Sequence, residues 1–185
     1  MPLEARVFEA DLGSRASKEA ERRFWEWMIG QPGSVLRTSG AHKADLLWWR
    51  DGRCQTIDVK CDCPASRTGN CIWESHHIFE DGTRQDGWGR QGAHYIAIVM
   101  PPLLDDRPDW KADWPCTIVR RPLWETAQET LTFRKITTDN ANERGNKWVS
   151  HAHLNRLADM REIEGLIAKE VNLPPPDGVW HKEPA

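Results

Sequence analysis

The spacing of apolar residues predicts a helix followed by strands in the first half of the chain. Residues Ser14–Ile29 carry apolar side chains three and four positions apart, which is typical of an amphipathic helix. Two apolar segments joined by the turn signal Asp51-Gly52 predict a β-hairpin, and a shorter strand precedes them. These three strands are expected at Ser34–Thr38, Ala44–Arg50 and Arg53–Lys60.

The second half of the chain has shorter apolar segments and one long one. Further strands are predicted at Cys71–Ser75, His94–Met100, Cys116–Arg120, Thr132–Ile136 and Lys147–Ser150. Helices are predicted at Leu123–Thr130 and at Leu154–Val171, the second being the longest in the chain. Residues 103–115 and 138–146 are expected to form loops, and the Pro-rich tail 174–185 is expected to be mobile.

This order of elements indicates an α/β domain built around a mixed sheet. The length of 185 residues suits one domain with its own core, which we place at residues 1–173. Because the last long apolar segment is predicted to be helical, we expect a C-terminal helical extension to this domain.

Composition narrows the class of protein only slightly. No apolar run approaches the ~20 residues needed to cross a bilayer, and residues 1–10 lack the apolar core of a signal peptide. An odd number of cysteines, five, argues against a disulfide framework. We therefore expect a cytoplasmic protein with no membrane partner. The net charge of −3 weighs mildly against nucleic-acid binding but says little about one local groove.

Two carboxylates and a lysine are predicted to meet at one end of the hairpin. Asp45 opens its first strand, and Asp58 and Lys60 close its second. Asp58 and Lys60 are two residues apart, so they point to the same face. Mg²⁺ or Mn²⁺ binds such carboxylates together with waters and a substrate phosphate, and a lysine beside them can orient the attacking water. The carbonyl of Val59 is also within reach of such a metal.

Asp45, twelve further residues and then Asp58-Val59-Lys60 resemble the signature of the PD-(D/E)xK nuclease superfamily. The resemblance implies a restriction-endonuclease-like αβββαβ core and hydrolysis of DNA phosphodiester bonds. Similarity to Holliday-junction resolvases and to small phage-encoded members extends over residues 14–100. It is carried by Arg37-Thr38-Ser39-Gly40, Ala44-Asp45-Leu46-Leu47, Arg67-Thr68-Gly69-Asn70, Glu74, Gly87 and His94-Tyr95-Ile96.

The same resemblance implies a glutamate from the first helix as a further metal ligand. Glu19 and Glu21 lie about 200° apart on a helix, so only one of them can face the site. Glu21 borders the apolar stripe and is favoured, with Glu19 as the alternative. The sequence departs from the family pattern at Ala44, where a proline is usual, and at Asp58, where glutamate is more frequent.

The resemblance therefore implies a Mg²⁺- or Mn²⁺-dependent deoxyribonuclease, an endonuclease acting on branched, phage or host DNA. We expect it in a bacterial cell, encoded by the host or by a phage, with homodimerisation possible. The turn before Asp45 and two later arginines are expected to contact the phosphate backbone. These nucleic-acid-binding candidates are Ser39, His42, Lys43, Arg67 and Arg90.

Two alternatives stay open at this point. The chain can instead be a binding module for nucleic acid or protein that keeps the nuclease fold without turnover. It can also be a zinc-stabilised interaction domain, because several cysteines and histidines follow Lys60. The Cys-x-Cys spacing and the lack of a second matching pair argue against this zinc site, whose candidate ligands are Cys61, Cys63, Cys71, His76 and His77.

Overall fold

A computed structural model describes residues 10–38, 44–141 and 147–176. The helices are α1 (Ala10–Ile29), α2 (Cys63–Thr68), α3 (Arg121–Thr126), α4 (Gln128–Leu131) and α5 (Leu157–Arg161), and a 3-10 helix spans Trp88–Arg90. The strands are β1 (Ser34–Arg37), β2 (Leu46–Arg50), β3 (Arg53–Cys61), β4 (Asn70–Phe79), β5 (Arg84–Asp86), β6 (Tyr95–Val99), β7 (Leu103–Leu104), β8 (Arg107–Pro108), β9 (Trp114–Arg120), β10 (Thr132–Ala141), β11 (Lys147–Arg156) and β12 (Ile167–Leu173).

The main sheet is mixed, as the sequence predicts. Its six strands run in the order β1-β2-β3-β6-β9-β12. Strand β3 pairs with β6 in parallel, and the other neighbours are antiparallel. A second sheet has the order β10-β11-β4-β5, and β7 and β8 form a small hairpin. The chain is thus a mixed α/β protein with few helices in its described part.

Each face of the main sheet buries its own apolar cluster. Helix α1 covers one face, where Phe24 packs with Ile57 and Val59 of β3. The second sheet and the short helices cover the other face, where Trp73 and Trp124 pack with Ile96 of β6. Because β3 and β6 are in the middle of the sheet, both of their faces are covered in this way. No described helix is long and apolar enough to cross a membrane.

The hairpin between β2 and β3 forms where the sequence predicts it. Asp51 and Gly52 both have positive φ angles, 51° and 73°, as a two-residue turn of type I′ requires. The turn sets a register in which Leu46 lies opposite Ile57. Asp45, just before Leu46, therefore reaches the level of Asp58, just after Ile57.

The predicted C-terminal helix over Leu154–Val171 is wrong. Leu154 belongs to β11 and lies opposite Ile72 of β4, while the end of the segment belongs to β12 and pairs with the free edge of β9. Only Leu157–Arg161 is helical, and Gly165, with a φ angle of 72°, lies in the turn that follows it. Sheet edges supply backbone partners that helical periodicity does not reveal, so residues 154–171 do not form the predicted helical extension, and the last described element is the strand β12.

Other predicted boundaries also shift. The segment 103–115, predicted to be a loop, contains the hairpin of β7 and β8, and its Trp114 is completely buried. Strand β10 continues to Ala141 into the predicted loop, and β4 extends well past Ser75. The predicted tail lies outside the described residues from residue 177 onward.

Arg23 of α1 contacts the segment before β9 and the end of β12, at the edge of the main sheet. Its side chain is fully buried and pairs with Glu19 at 2.8 Å. The guanidinium also donates to the carbonyl oxygens of Trp110, Ala112 and Leu173. A buried arginine is stable only when its donors are satisfied in this way.

We expect Arg23→Gln to lower the free energy of unfolding by about 3 kcal/mol, because one buried and two partly buried carbonyls lose their charged donor. The matched change Arg22→Gln removes a half-buried arginine that pairs with the same Glu19 and should cost less than about 1 kcal/mol. Urea unfolding of both variants measures the difference. Equal losses would show that the contacts of Arg23 do not stabilise the fold.

Candidate metal-binding site

Backbone hydrogen bonds hold Asp45 in place just before the start of β2. Its amide donates to the carbonyl of Ile57 at 3.0 Å, and its own carbonyl accepts from the amide of Thr38 at 2.9 Å. Its carboxylate oxygen Oδ2 accepts a hydrogen bond of 2.6 Å from the amide of Val59. The side chain is therefore held against the end of β3 and points toward its neighbour Asp58.

Asp58 and Lys60 project together from β3 toward the side of the second sheet. They lie opposite Ile96 and Ile98 of β6, whose side chains belong to the cluster on that side. Lys60 Nζ lies 3.0 Å from Asp58 Oδ2. Asp58 is only 6% exposed, whereas the Lys60 side chain is 33% exposed, so the carboxylate is the shielded partner of this ion pair. The predicted meeting of Asp45, Asp58 and Lys60 is what the structure shows.

The charge of Asp45 disfavours the ionised form of its neighbour Asp58. Burial raises the pKa of Asp58 to about 7; Lys60 opposes this rise, and the nearby charge of Asp45 and a hydrogen bond between the two carboxyl groups add to it. Two carboxylates this close are stabilised either by a shared proton or by a bound cation. The raised pKa thus marks a position where positive charge is needed.

Glu21 lies near this pair, whereas Glu19 faces elsewhere. The pKa of Glu21 is raised, first by burial and then by the charge of Asp45, with Arg37 and Lys60 acting in the opposite direction. Its closest cation is Arg37, at 3.7 Å. Glu19 instead binds Arg22 and Arg23 on another side of α1. Of the two glutamates, only Glu21 is placed beside the aspartates.

Two residues of this neighbourhood were not predicted from the sequence. Arg37, the last residue of β1, contributes the cation beside Glu21. Trp88, in the 3-10 helix, lies under Lys60, whose Nζ is 5.8 Å from the centre of the indole ring. The helix can approach this closely because Gly89 packs on Trp73, where a Cβ atom would lie 2.6 Å from the ring. For Trp88 the signal in the sequence is the pair of glycines that flank it, Gly87 and Gly89; Arg37 belongs to the segment Arg37-Thr38-Ser39-Gly40 that carries the resemblance.

The donor set fits a hard divalent cation in part. Mg²⁺ and Mn²⁺ are commonly held by one or two carboxylates, with waters completing the shell, and Asp45 and Asp58 supply two. Among the described residues, no three His, Cys, Asp or Glu side chains form a group arranged to hold a metal ion. Glu21 is close, but its carboxylate is directed to Arg37. A cation would thus bind first to the two aspartates.

The cysteines at the end of β3 and after it are free thiols. Cys61 and Cys63 lie 3.8 Å apart, sulfur to sulfur. Cys71 is fully buried in the cluster between the sheets. His76 stacks on His151, and His77 contacts the hydroxyl of Ser150. These candidate zinc ligands thus have different surroundings, and among the described residues no three of them form a group arranged to hold a metal ion.

The structure describes two of the five residues that are predicted to contact nucleic acid. Arg67 is exposed and pairs with Asp106 at 2.9 Å. Arg90 is exposed beside Trp73, at 5.8 Å from the ring centre. The other three candidates, Ser39, His42 and Lys43, lie outside the described residues.

Comparison with known proteins does not identify relatives of this chain. No family model matches the sequence, and no curated protein or solved structure is significantly similar to it.

The pH dependence of stability tests the contact between the two aspartates. Because folding raises the pKa of Asp58 from its ordinary 3.8 to about 7, the native metal-free protein holds this proton more tightly than the unfolded chain does. The stabilising effect is complete below pH 4 and disappears as the pH rises through 7. In Asp58→Asn, we expect the loss of unfolding free energy between pH 4 and 8 to be smaller by about 2–4 kcal/mol.

Asp51→Asn is the matched control, since it removes the same charge from an exposed turn. Urea unfolding at pH 4, 6 and 8 in the presence of a chelator gives the slope for each protein. Parallel pH profiles of the wild type and Asp58→Asn would show that folding does not raise the pKa of Asp58.

Proposed function

We propose that this protein is a metal-dependent nuclease that hydrolyses phosphodiester bonds of DNA. One observation carries the proposal: β2 and β3 bring Asp45, Asp58 and Lys60 together at one end of the main sheet, with Asp58 buried and Lys60 in contact with it. An ion pair that served stability alone would gain little at this degree of burial. Two adjacent carboxylates and a lysine are the groups that phosphodiester hydrolysis with a metal requires.

Each residue has a distinct role in this proposal. Asp45 and Asp58 hold the divalent cation, and Glu21 is placed to contribute through water. The cation, when bound, supplies an activated water and neutralises charge on the phosphate. Lys60 is placed to orient the attacking water and to stabilise negative charge on the phosphoryl oxygens. The Val59 amide donates to Asp45, so the backbone of Val59 lies beside the aspartates. Its carbonyl is therefore a further ligand in the proposal.

The order of elements supports membership of the PD-(D/E)xK superfamily, which is part of this proposal. Helix α1, the three antiparallel strands β1 to β3, helix α2 and then β6, parallel to β3, follow one another along the chain. This is the αβββαβ order that the sequence resemblance implies. Strands β4 and β5 are inserted between α2 and β6, so the second sheet is an addition to that order.

Cleavage assays test the proposal directly. Purified protein is incubated with Mg²⁺ or Mn²⁺ and with linear duplex, nicked, four-way-junction and single-stranded DNA. We expect at least one substrate to be cut, and Asp58→Asn and Lys60→Met to lower the rate by about 100-fold or more, because each removes a group that acts on the reacting phosphate. Asp51→Asn, an exposed carboxylate at the opposite end of β2, should cleave like the wild type.

Two outcomes would contradict the proposal. One is no cleavage of any of the four substrates with either metal. The other is cleavage that Asp58→Asn and Lys60→Met leave unchanged, because the activity would then come from another site or from a contaminant. DNA binding without cleavage would instead favour a binding module on this fold.

A further inference from the structure

The second sheet has one face that is buried in its first half and exposed in its second. In the first half, Cys71 and Trp73 of β4 point into the cluster between the sheets. Farther along, a bulge in the pairing of β4 with β11 keeps His76 and His151 on this same face. Both histidines are half-buried. The second half of this face therefore extends beyond the buried cluster and is accessible to solvent. We call it the overhang.

Basic and histidine side chains occupy this overhang. The rings of His76 and His151 stack at 4.3 Å, and His153 packs edge-on against Trp73 at 5.4 Å. Lys135 lies opposite His153 on β10, and on β5 Arg84 lies opposite a residue of the same face. We call the following six residues the cationic strip, after its permanent cations Arg84, Arg90 and Lys135; the other three members are His76, His151 and His153.

The three permanent cations of the strip share one neighbourhood. Burial lowers the pKa of His76, and the charges of Arg84, His151 and Arg90 lower it further. Burial likewise lowers the pKa of His153, with Lys135 and Arg90 contributing. Arg90 is therefore close to both histidines and links the two ends of the strip. This accumulation of like charge lacks any evident structural benefit.

Two carboxylates share this face with the permanent cations, which outnumber them. Asp86 lies opposite His76, and Asp139 lies farther along β10 on the same face, where Lys147 also projects. Within the described part of the chain, Arg84, Arg90 and Lys135 form no ion pair. All three are exposed, so their charge is available to an anionic partner.

The strip begins beside the candidate metal site. Arg90 ends the same short 3-10 helix in which Trp88 lies under Lys60. Gly89, between them, packs on Trp73, and this contact fixes the helix to the second sheet. A ligand that reaches from Lys60 across this helix meets Arg90 and then the histidines.

Resting on the nuclease function proposed above, we propose that the cationic strip binds the phosphate backbone of double-stranded DNA and so holds the substrate across the metal site. From β5 to β10 the strip crosses three strand spacings, about 14 Å, and a duplex presents one phosphate charge per about 1.7 Å of its axis. Arginine and lysine contact phosphates without reading sequence. The histidine rings of the strip stack on each other or pack edge-on against Trp73, so none of them stands alone as a platform for unpaired bases.

Binding of a 20-base-pair duplex, measured in a chelator so that nothing is cut, tests this proposal. The triple variant Arg84→Gln/Arg90→Gln/Lys135→Gln should bind about 10- to 100-fold more weakly at low salt. The slope of log affinity against log salt should fall by about 0.9 for each lost phosphate contact. The control Arg50→Gln/Arg53→Gln/Lys169→Gln removes the same charge from exposed positions at the hairpin turn and on β12 and should retain wild-type affinity and slope.

Circular dichroism verifies folding, and the single variants Arg84→Gln and Lys135→Gln provide milder changes, with expected losses of about 3- to 5-fold. Equal effects of the two triple variants, no effect of either, or stronger binding of single-stranded than of duplex DNA would overturn the proposal. Wild-type protein that binds no duplex would also overturn it. The two proposals can fail separately: strip-dependent binding without cleavage contradicts only the nuclease function, and cleavage with unchanged binding in the triple variant contradicts only the strip.

Discussion

The register of the β2–β3 hairpin is the constraint on which the candidate site depends. The Asp51-Gly52 turn sets Leu46 opposite Ile57 and thereby places Asp45 beside Asp58. A shift of one residue would turn Ile57 and Val59 out of the cluster under α1 and Asp58 into it. The apolar contacts of β3 with α1 therefore secure the geometry of the polar groups on its other face.

The same arrangement concentrates unfavourable electrostatics at one place. Asp58 is buried, close to Asp45, and only partly compensated by Lys60. A fold selected for stability alone gains nothing from a second carboxylate here, because it adds repulsion to the cost of burial. Strain of this kind is common where a protein binds a cation or performs chemistry. The surrounding core, including the satisfied charge of Arg23, supplies the stability that offsets it.

Local signals in the sequence were sufficient to predict the part of the chain that builds the site. The amphipathic pattern of α1, the turn residues Asp51-Gly52 and the two-residue spacing of Asp58 and Lys60 each act over a few positions. The segment Leu154–Val171 could not be predicted in the same way, because its strands form only against the edges of β4 and β9. Arg37 and Trp88 were missed for a related reason: each reaches the site through a side-chain contact with a different element, which the local pattern does not reveal.

Calorimetric titration of the metal-free protein with Mn²⁺ tests the central claim most directly, since it needs no knowledge of the substrate. We expect the wild type to bind Mn²⁺, Asp58→Asn and Asp45→Asn to lose most of that binding, and Asp51→Asn to keep it. Wild type and Asp58→Asn that bind Mn²⁺ equally, or a wild type that binds none, would contradict the assignment of Asp45 and Asp58 as metal ligands.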